Sequence, residues 1–256
     1  MEQELKELIF SALFHDIGKL IERTEKSSFN ATDETIFKYS HAASTYSFMN
    51  EYFRDNKTTN LAARHHHPSE FLEMIIAQAD RHAAGHERFP KGSDEEIVQG
   101  KEKRPLQSVI ERISIMNDGS ETGLKKITNK CFLPGKVSAS NIKAVDYDEK
   151  SFIDNYKKLR DNFCSAIKSF NEGINKKPFF EFNNAYRSIM LEYLWSVPDS
   201  ARKEDLPDVS LYEHSRITAM LAACLYRYHK FYKSETPEAV EMDTDKKYLL
   251  MGADIS

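Results

Sequence analysis

The chain has no apolar run approaching the roughly 18–20 residues that a membrane-crossing helix needs, so no transmembrane segment is expected. Met1 leads into a mixed charged and apolar stretch rather than a signal-peptide core. Cysteine is scarce: Cys131, Cys164 and Cys224 stand far apart and form no CxxC pair. That spacing speaks against a disulfide framework or a thiolate zinc site, and the three read as reduced, mostly packing thiols of a cytosolic protein. There is no excess of basic residues either. A formal net charge of −4 argues against a protein that grips nucleic acid through a broad basic surface, though not against an enzyme that meets phosphates at a metal ion. Internal repeats and low-complexity tracts are also absent.

What the chain does have is an ordinary globular composition, 40% hydrophobic and 30% charged over 256 residues, enough for one large domain or two small ones. It also has histidine. Of nine histidines, His15, His41, His65, His66 and His67 fall in the first 67 residues, alongside Asp16 and Asp80.

The stretch Leu5 to Leu20 (LKELIFSALFHDIGKL) carries Leu5, Leu8, Ile9, Ala12, Leu13 and Ile17 at helical spacing. The spacing predicts one helix ending near Ile21 to Thr24, with His15 and Asp16 on a rigid helical frame, about 100° apart around its axis. A loop is expected over 24–33, a helix over Ser40 to Phe53, a break at Asn56 to Asn60, and a short helical piece from Leu61 into HHHPSE. From Ser69 another helix presents Leu72, Ile75, Ile76, Ala79 and Ala83, with Asp80 beside that face. A carboxylate there needs a partner or is costly to bury.

Residues 90–104 read as a charged surface loop, and Pro105 to Ile115 as an extended entry to a short helix or strand. A small hairpin is expected within Asn117 to Lys143, and helices over Ser151 to Asn171 and Phe179 to Trp195. After a Pro/Asp-rich connector, Ser210 and Glu213 fit a capping box that opens a helix running to Tyr232, with His214 in its first turn. A linker over Ser234 to Asp245 leads to KKYLLMGADIS, read as an apolar strand.

His15, Asp16, His41, His65, His66, Asp80 and His214 are imidazoles and carboxylates without thiolates. That donor set suits Mn, Fe, Co, Ni or Zn in a hydrolytic site better than a structural zinc. One or two ions so held can activate a water and stabilise the leaving oxygen of a phosphodiester, with Asp80 bridging or orienting and His41, His65 and His66 serving a second ion. Lys19, one turn beyond His15, can meet a phosphate oxygen, and Arg23 lies a turn further on the same side. Singly, an HD pair is common and a triple histidine is often a solvated turn, so the weight lies in the combination. His82 and His86 share i, i+4 spacing but read as surface, and His229 as exposed. Tyr226, Tyr228, Phe231 and Tyr232 read as packing rather than as a base-stacking platform.

These residues resemble the HD superfamily of metal-dependent phosphohydrolases. More narrowly, ALFHDIGK, YSHAAS, RHHHPSE, AQADRHAAGHERF, RPLQSVIERI, YLWSVP and DVSLYEHSRITAML resemble, in order over residues 11–220, the N-terminal part of the large subunit of type III CRISPR effector complexes of the Csm type. The resemblance implies a mainly α, circularly permuted HD-domain helical bundle with a small helical/hairpin insertion. In it, the late helix bearing His214 returns beside the first. His15, Asp16, Asp80 and His214 then match the superfamily's ligand set and His41, His65 and His66 the family's further histidines, with a one-residue slip to His67 left open.

The implied division is 1–104 for the main HD part, 105–205 for an insertion or linker subdomain, 206–233 for the permuted helix and 246–256 for the start of a palm domain. MGADIS resembles that domain's opening, so the chain reads as a piece of a longer protein, and cyclic-oligoadenylate synthesis is not credited to it. The implied activity is metal-dependent cleavage of single-stranded DNA, with His15, Asp16 and Lys19 catalytic and a divalent transition metal (Mn, Ni or Co) as cofactor. Implied partners are other CRISPR effector subunits and guide RNA through the full-length protein, with no membrane and a cytoplasmic location. Two rivals stand beside it: an HD phosphohydrolase of small nucleotides, and a catalytically silent docking module.

Overall fold

A computed structural model describes residues 2–24, 31–84, 104–109, 130–175, 177–200, 207–242 and 246–248. The described residues are mainly helical: α1 (Glu2–Phe14), α2 (Gly18–Glu22), α3 (Ala31–Phe37), α4 (Ser40–Tyr52), α5 (Asn56–Ala63), α6 (Phe71–Ala84), α7 (Glu149–Gly173), α8 (Asn183–Leu194), α9 (Leu211–Tyr232) and α10 (Pro237–Glu241). A 3-10 turn, Phe179–Phe182, leads into α8. Three short strands, β1 (Leu106–Gln107), β2 (Lys130–Phe132) and β3 (Val145–Asp146), form an antiparallel sheet in the order β1-β2-β3. The expected hairpin is thus present as the β2–β3 pair, with its second strand just beyond Lys143. None of the described helices is long and apolar enough to cross a membrane.

α1 is the centre of the bundle rather than a one-sided amphipathic helix. Phe10 and Phe14 are as completely buried as Leu8 and Ala12, because α5, α6, α8 and α9 all pack around it. Phe10 stacks edge-on to Phe53 and Tyr186 with ring centroids 4.9 and 5.3 Å apart, and Phe14 meets the same two rings. Tyr156, Leu159, Phe163 and Ile167 of α7 belong to the same buried cluster, so the helices after residue 105 share a core with those before it. The late helix returns as expected: α9 lies against α1 and α6, which brings His214 to the end of α1.

Several local expectations fail for identifiable reasons. The first helix stops at Phe14, and His15–Ile17 form a turn before α2. The expected break at Asn56–Asn60 is the first half of α5, because the Asp55 carboxylate accepts from Thr58 N and caps it. The expected loop over 24–33 gives way to α3 from Ala31, and α10 lies within the expected linker, capped by Thr236 with Pro237 in its first turn. Only the hydroxyl half of the Ser210 capping box forms: Ser210 accepts from Glu213 N, while the Glu213 carboxylate pairs with Arg216 at 2.6 Å.

His229 is buried, not exposed, its Nδ1 within hydrogen-bonding distance of Ser234 at the end of α9. Tyr226 packs in the core, but Phe231 and Tyr232 stand in solvent. Residues 85–103, 110–129 and 249–256 lie outside the described set. With them lie His86, the charged loop up to residue 103, most of RPLQSVIERI and nearly all of the expected terminal strand.

Candidate metal centre

The turn between α1 and α2 is what aims His15 and Asp16. Ile17 N donates to Phe14 O and Lys19 N to Asp16 O, both three-residue bonds tighter than the α-helical pattern. Thr45, from α4, holds the turn from across the bundle, donating to His15 O and accepting from Gly18 N. α2 can approach α4 this closely only because residue 18 has no side chain. A Cβ there would lie 1.9 Å from His41 O and 2.7 Å from Thr45 N.

Four elements bring donors to this turn. The His15 Nε2 atom lies 3.3 Å from both Asp16 Oδ2 and Asp80 Oδ1. His214 Nε2 is 3.3 Å from Asp16 Oδ2 and 2.9 Å from Asp80 Oδ1. On the other side, His41 Nε2 and His65 Nε2 are each 3.5 Å from Asp16 Oδ1, and His66 Nε2 is 2.8 Å from His41 Nε2. Two ligand-like sets result, His15–Asp16–Asp80–His214 and Asp16–His41–His65–His66, each with donor atoms within 4.8 Å of one another. The shared carboxylate is Asp16, not Asp80. His67 is exposed and joins neither set.

Whether these residues suit a metal is decided by their unused atoms. Asp16 Oδ1, His65 Nε2 and His214 Nε2 are buried and make no well-formed hydrogen bond among the described residues. Buried polar atoms without well-formed hydrogen bonds are costly; Asp16 Oδ1 and His65 Nε2 face the second donor set and His214 Nε2 the first, so each set has a buried donor that a cation would satisfy. Metal bonds of about 2.0–2.2 Å put neighbouring donors about 3.0 Å apart in octahedral and about 3.4 Å apart in tetrahedral coordination. The spacings here run from 2.8 to 3.5 Å. Nitrogen and carboxylate donors without sulfur suit a divalent ion in a hydrolytic site.

Two of the rings have fixed tautomers. Nδ1 of His15 donates to Ala12 O and Nδ1 of His65 to Ala62 O, each at 2.8 Å, leaving Nε2 free to face the centre. The electrostatics of the centre are set by burial and by the charges these groups present to one another. Burial disfavours a charge on His15, but Asp16 and Asp80 outweigh it and push its pKa up to about 10. Burial likewise opposes a charge on His214, and the same two carboxylates raise its pKa. Asp16 is held well below the usual carboxylate range: burial works the other way, and Lys19 and His15 prevail. Asp80 is held low by His15 and His214 in spite of burial. Burial, then His65 and His41, drive the His66 pKa well below that of free imidazole.

Lys19 Nζ sits 2.6 Å from Asp16 Oδ2, with the side chain 25% exposed, so it stands at the rim where the site meets solvent. Arg23 does not continue that row. It is buried, donates to Pro198 O at 3.1 Å and lies over the Tyr156 ring, so it braces the connector. Three residues escaped the sequence reading. Thr45 follows His41 by four positions and so shares its helix face, which was a usable signal. Tyr39, just before α4, lies nearly parallel to the His41 ring at 5.7 Å and edge-on to His66 at 4.6 Å. Asp199 is buried, with Oδ2 4.0 Å from His214 Nδ1. Tyr39 opens the YSHAAS motif, from which only His41 was singled out, whereas Asp199 belongs to no recognisable motif.

Residues 1–85 match the family model described as the HD domain. The first part of the chain is therefore an HD domain, a class that implies divalent-metal binding. The single-strand-specific deoxyribonuclease Cas10/Csm1 of the subtype III-A CRISPR system of Methanocaldococcus jannaschii is 31% identical over 95% of this chain and 31% of its own length. The protein of the same description from Streptococcus thermophilus is 26% identical over 100% of this chain and 33% of its own. Among solved structures, the Csm1–Csm4 subcomplex of the type III-A interference complex matches with a TM-score of 0.55 at 17% identity, covering 88% of this chain and 28% of that one. The chain is similar to the HD-domain region of these Csm-type large subunits, and spans about a third of the length of the curated relatives it matches.

Proposed function

We propose that this chain is the metal-dependent nuclease part of a type III CRISPR large subunit, hydrolysing phosphodiesters of single-stranded DNA. The observation that carries the reading is the pair of buried donor sets meeting at Asp16, in a chain whose relatives are described as single-strand-specific deoxyribonucleases. His15, Asp16, Asp80 and His214 would hold one divalent ion, and His41, His65 and His66, with Asp16, a second; Mn, Ni or Co suits these donors. When bound, such ions polarise a phosphodiester and lower the pKa of water.

The rest is the work of the chain. Nδ1–H donation by His15 and His65 keeps their Nε2 atoms as donors toward the centre. Burial on the α1, α4 and α9 sides excludes water from all but the rim formed by Lys19, His66 and Asp80. Lys19 is placed there to neutralise a phosphate oxygen, and His15 and Asp16 set the position of the reacting phosphate. The net charge of −4 fits substrate delivered by other effector subunits and a guide RNA through the longer protein in the cytoplasm, rather than captured by a basic surface here. Within the chain, 1–104 with 206–233 would make the HD unit, 105–205 its insertion and 246–256 the lead into a palm domain.

The test is cleavage of labelled single-stranded DNA by chelator-stripped protein given Mn, Ni, Co, Mg or Zn, beside a His15→Ala/Asp16→Ala control. Metal-restored cleavage that vanishes in the control is expected. Hydrolysis of dNTPs or cyclic dinucleotides without cleavage of DNA would replace this reading with a small-nucleotide phosphohydrolase. Metal binding with no hydrolysis of either would leave a docking module.

A further inference from the structure

Among the histidines of the first donor set, His214 is oriented differently. His15 Nδ1 is held by the carbonyl of Ala12 in the last turn of α1, and His65 Nδ1 in the second set is held in the same way by that of Ala62 in the last turn of α5. His214 sits in the first turn of α9, and its Nδ1 meets no hydrogen-bond acceptor among the described residues. The polar group facing that nitrogen is the carboxylate of Asp199, 4.0 Å away, on a residue only 5% exposed.

The position of Asp199 is built rather than incidental. Residues 197–199 run antiparallel to 209–211: Leu211 N donates to Val197 O at 2.6 Å and Asp199 N to Val209 O at 3.0 Å, on either side of a bridge between Pro198 and Ser210. Ser210 is also the N-cap of α9, so the same two-stranded clasp fixes both the helix start that carries His214 and the carboxylate opposite it. Arg23 pins the clasp from the α2 side through Pro198 O.

We infer that Asp199 is a positioning residue for the metal centre: its carboxylate, 4.0 Å from His214 Nδ1, favours the tautomer with the proton on Nδ1, in which Nε2 faces Asp16 and Asp80. A carboxylate behind a ligating imidazole orients the ring and makes it a stronger donor, and losing such a partner costs about 10–100-fold in metal affinity. The backbone carbonyls behind His15 and His65 orient their rings but bring no charge, so in contrast to those two His214 is a donor whose strength depends on a side chain. The inference rests on the metal-site reading above.

The experiment compares wild-type protein with Asp199→Ala and Asp199→Asn, titrated with Co(II) by calorimetry and by visible absorption, well below the Tm of each. Asp199→Ala should weaken binding of the ion at the His15/His214 set by about 10–100-fold and change its visible spectrum. Asp199→Asn keeps an acceptor oxygen without the charge. It should retain the wild-type spectrum and lose only part of the affinity. A purely structural role would lower Tm but leave affinity and spectrum alone. Wild-type affinity and spectrum in Asp199→Ala overturn the inference; should that variant not fold, wild-type affinity in Asp199→Asn does so. If wild-type protein takes up no Co(II), the metal-site reading fails and this inference with it. Uptake by wild type and variants alike removes only the role of Asp199.

Discussion

Thr45 reaches from α4 to the end of α1 and donates its hydroxyl to the carbonyl of His15, 2.9 Å away. The same oxygen accepts from Gly18 N at 3.0 Å, so one side chain ties both ends of the turn that presents His15 and Asp16. All three groups are buried, so no water replaces a missing partner. Thr45→Val keeps the shape and removes both bonds. It should cost about 1–3 kcal/mol and lower Tm by roughly 2–10 °C in a chain of this size, measured by calorimetry on metal-free protein. An unchanged Tm would mean that the turn is held by packing alone.

Gly18 tests the same junction by crowding. Gly18→Ala puts a methyl group 1.9 Å from His41 O, against backbone that cannot step aside as a flexible side chain would. α2 and α4 must separate, at a cost of about 1–3 kcal/mol or more. Because the displaced segment of α4 carries His41, metal affinity should fall along with Tm. Wild-type stability in Gly18→Ala would show that the two helices are not in contact here.

Removing different carboxylates should have unequal effects on metal stoichiometry. Asp16 faces both donor sets, whereas Asp80 belongs to one. Asp16→Asn should therefore abolish tight binding of any ion, while Asp80→Asn and His66→Ala should each impair one set and spare the other. Elemental analysis after equilibrium dialysis against Mn reads the outcome directly. Equal losses in Asp16→Asn and Asp80→Asn would argue for a single ion held without His41, His65 and His66.

Metal uptake should depend on pH, with a sign set by the imidazoles. The pKa of His15 is raised to about 10 and that of His214 is also raised, so without metal His15 carries a proton throughout the neutral range. An ion binds there only by displacing it. Affinity should therefore rise with pH up to the raised pKa, about tenfold per unit for each proton released, and fall as the solution is acidified. Calorimetry in buffers of differing ionisation enthalpy should count about one to two protons released per ion at this set. Heats that do not vary with the buffer would show the rings already neutral.

The seven side chains that meet at the turn were legible because metal ligation would demand these particular types, and HD, SH, HHH and AD each fall where a helix begins, ends or turns its polar edge. Helices α4, α6, α7 and α9 were legible for a similar reason, as each keeps a periodic apolar face. α1 was misjudged at both levels. Its stripe described one side of a helix whose second half is covered on almost every side, and its length ran through the turn that matters. Local pattern cannot reveal such a break, because the competing partner, Thr45, lies far away in sequence.

The sequence by itself determined the donor types: imidazoles and carboxylates without thiolates, in an acidic chain, with motifs whose resemblance to a known family implies that the last long helix returns to the first. Tertiary structure alone decided which carboxylate is shared, which of the adjacent histidines turns inward, and that Arg23 and His229 are buried supports. It also brought Asp199 behind His214. Donor identity is a property of a single residue, whereas sharing and orientation depend on where atoms from α1, α4, α6 and α9 stand when they pack together. That arrangement is set by non-local contacts, including the Thr45 bridge, the bare Cα of Gly18 and the clasp at Pro198 and Ser210.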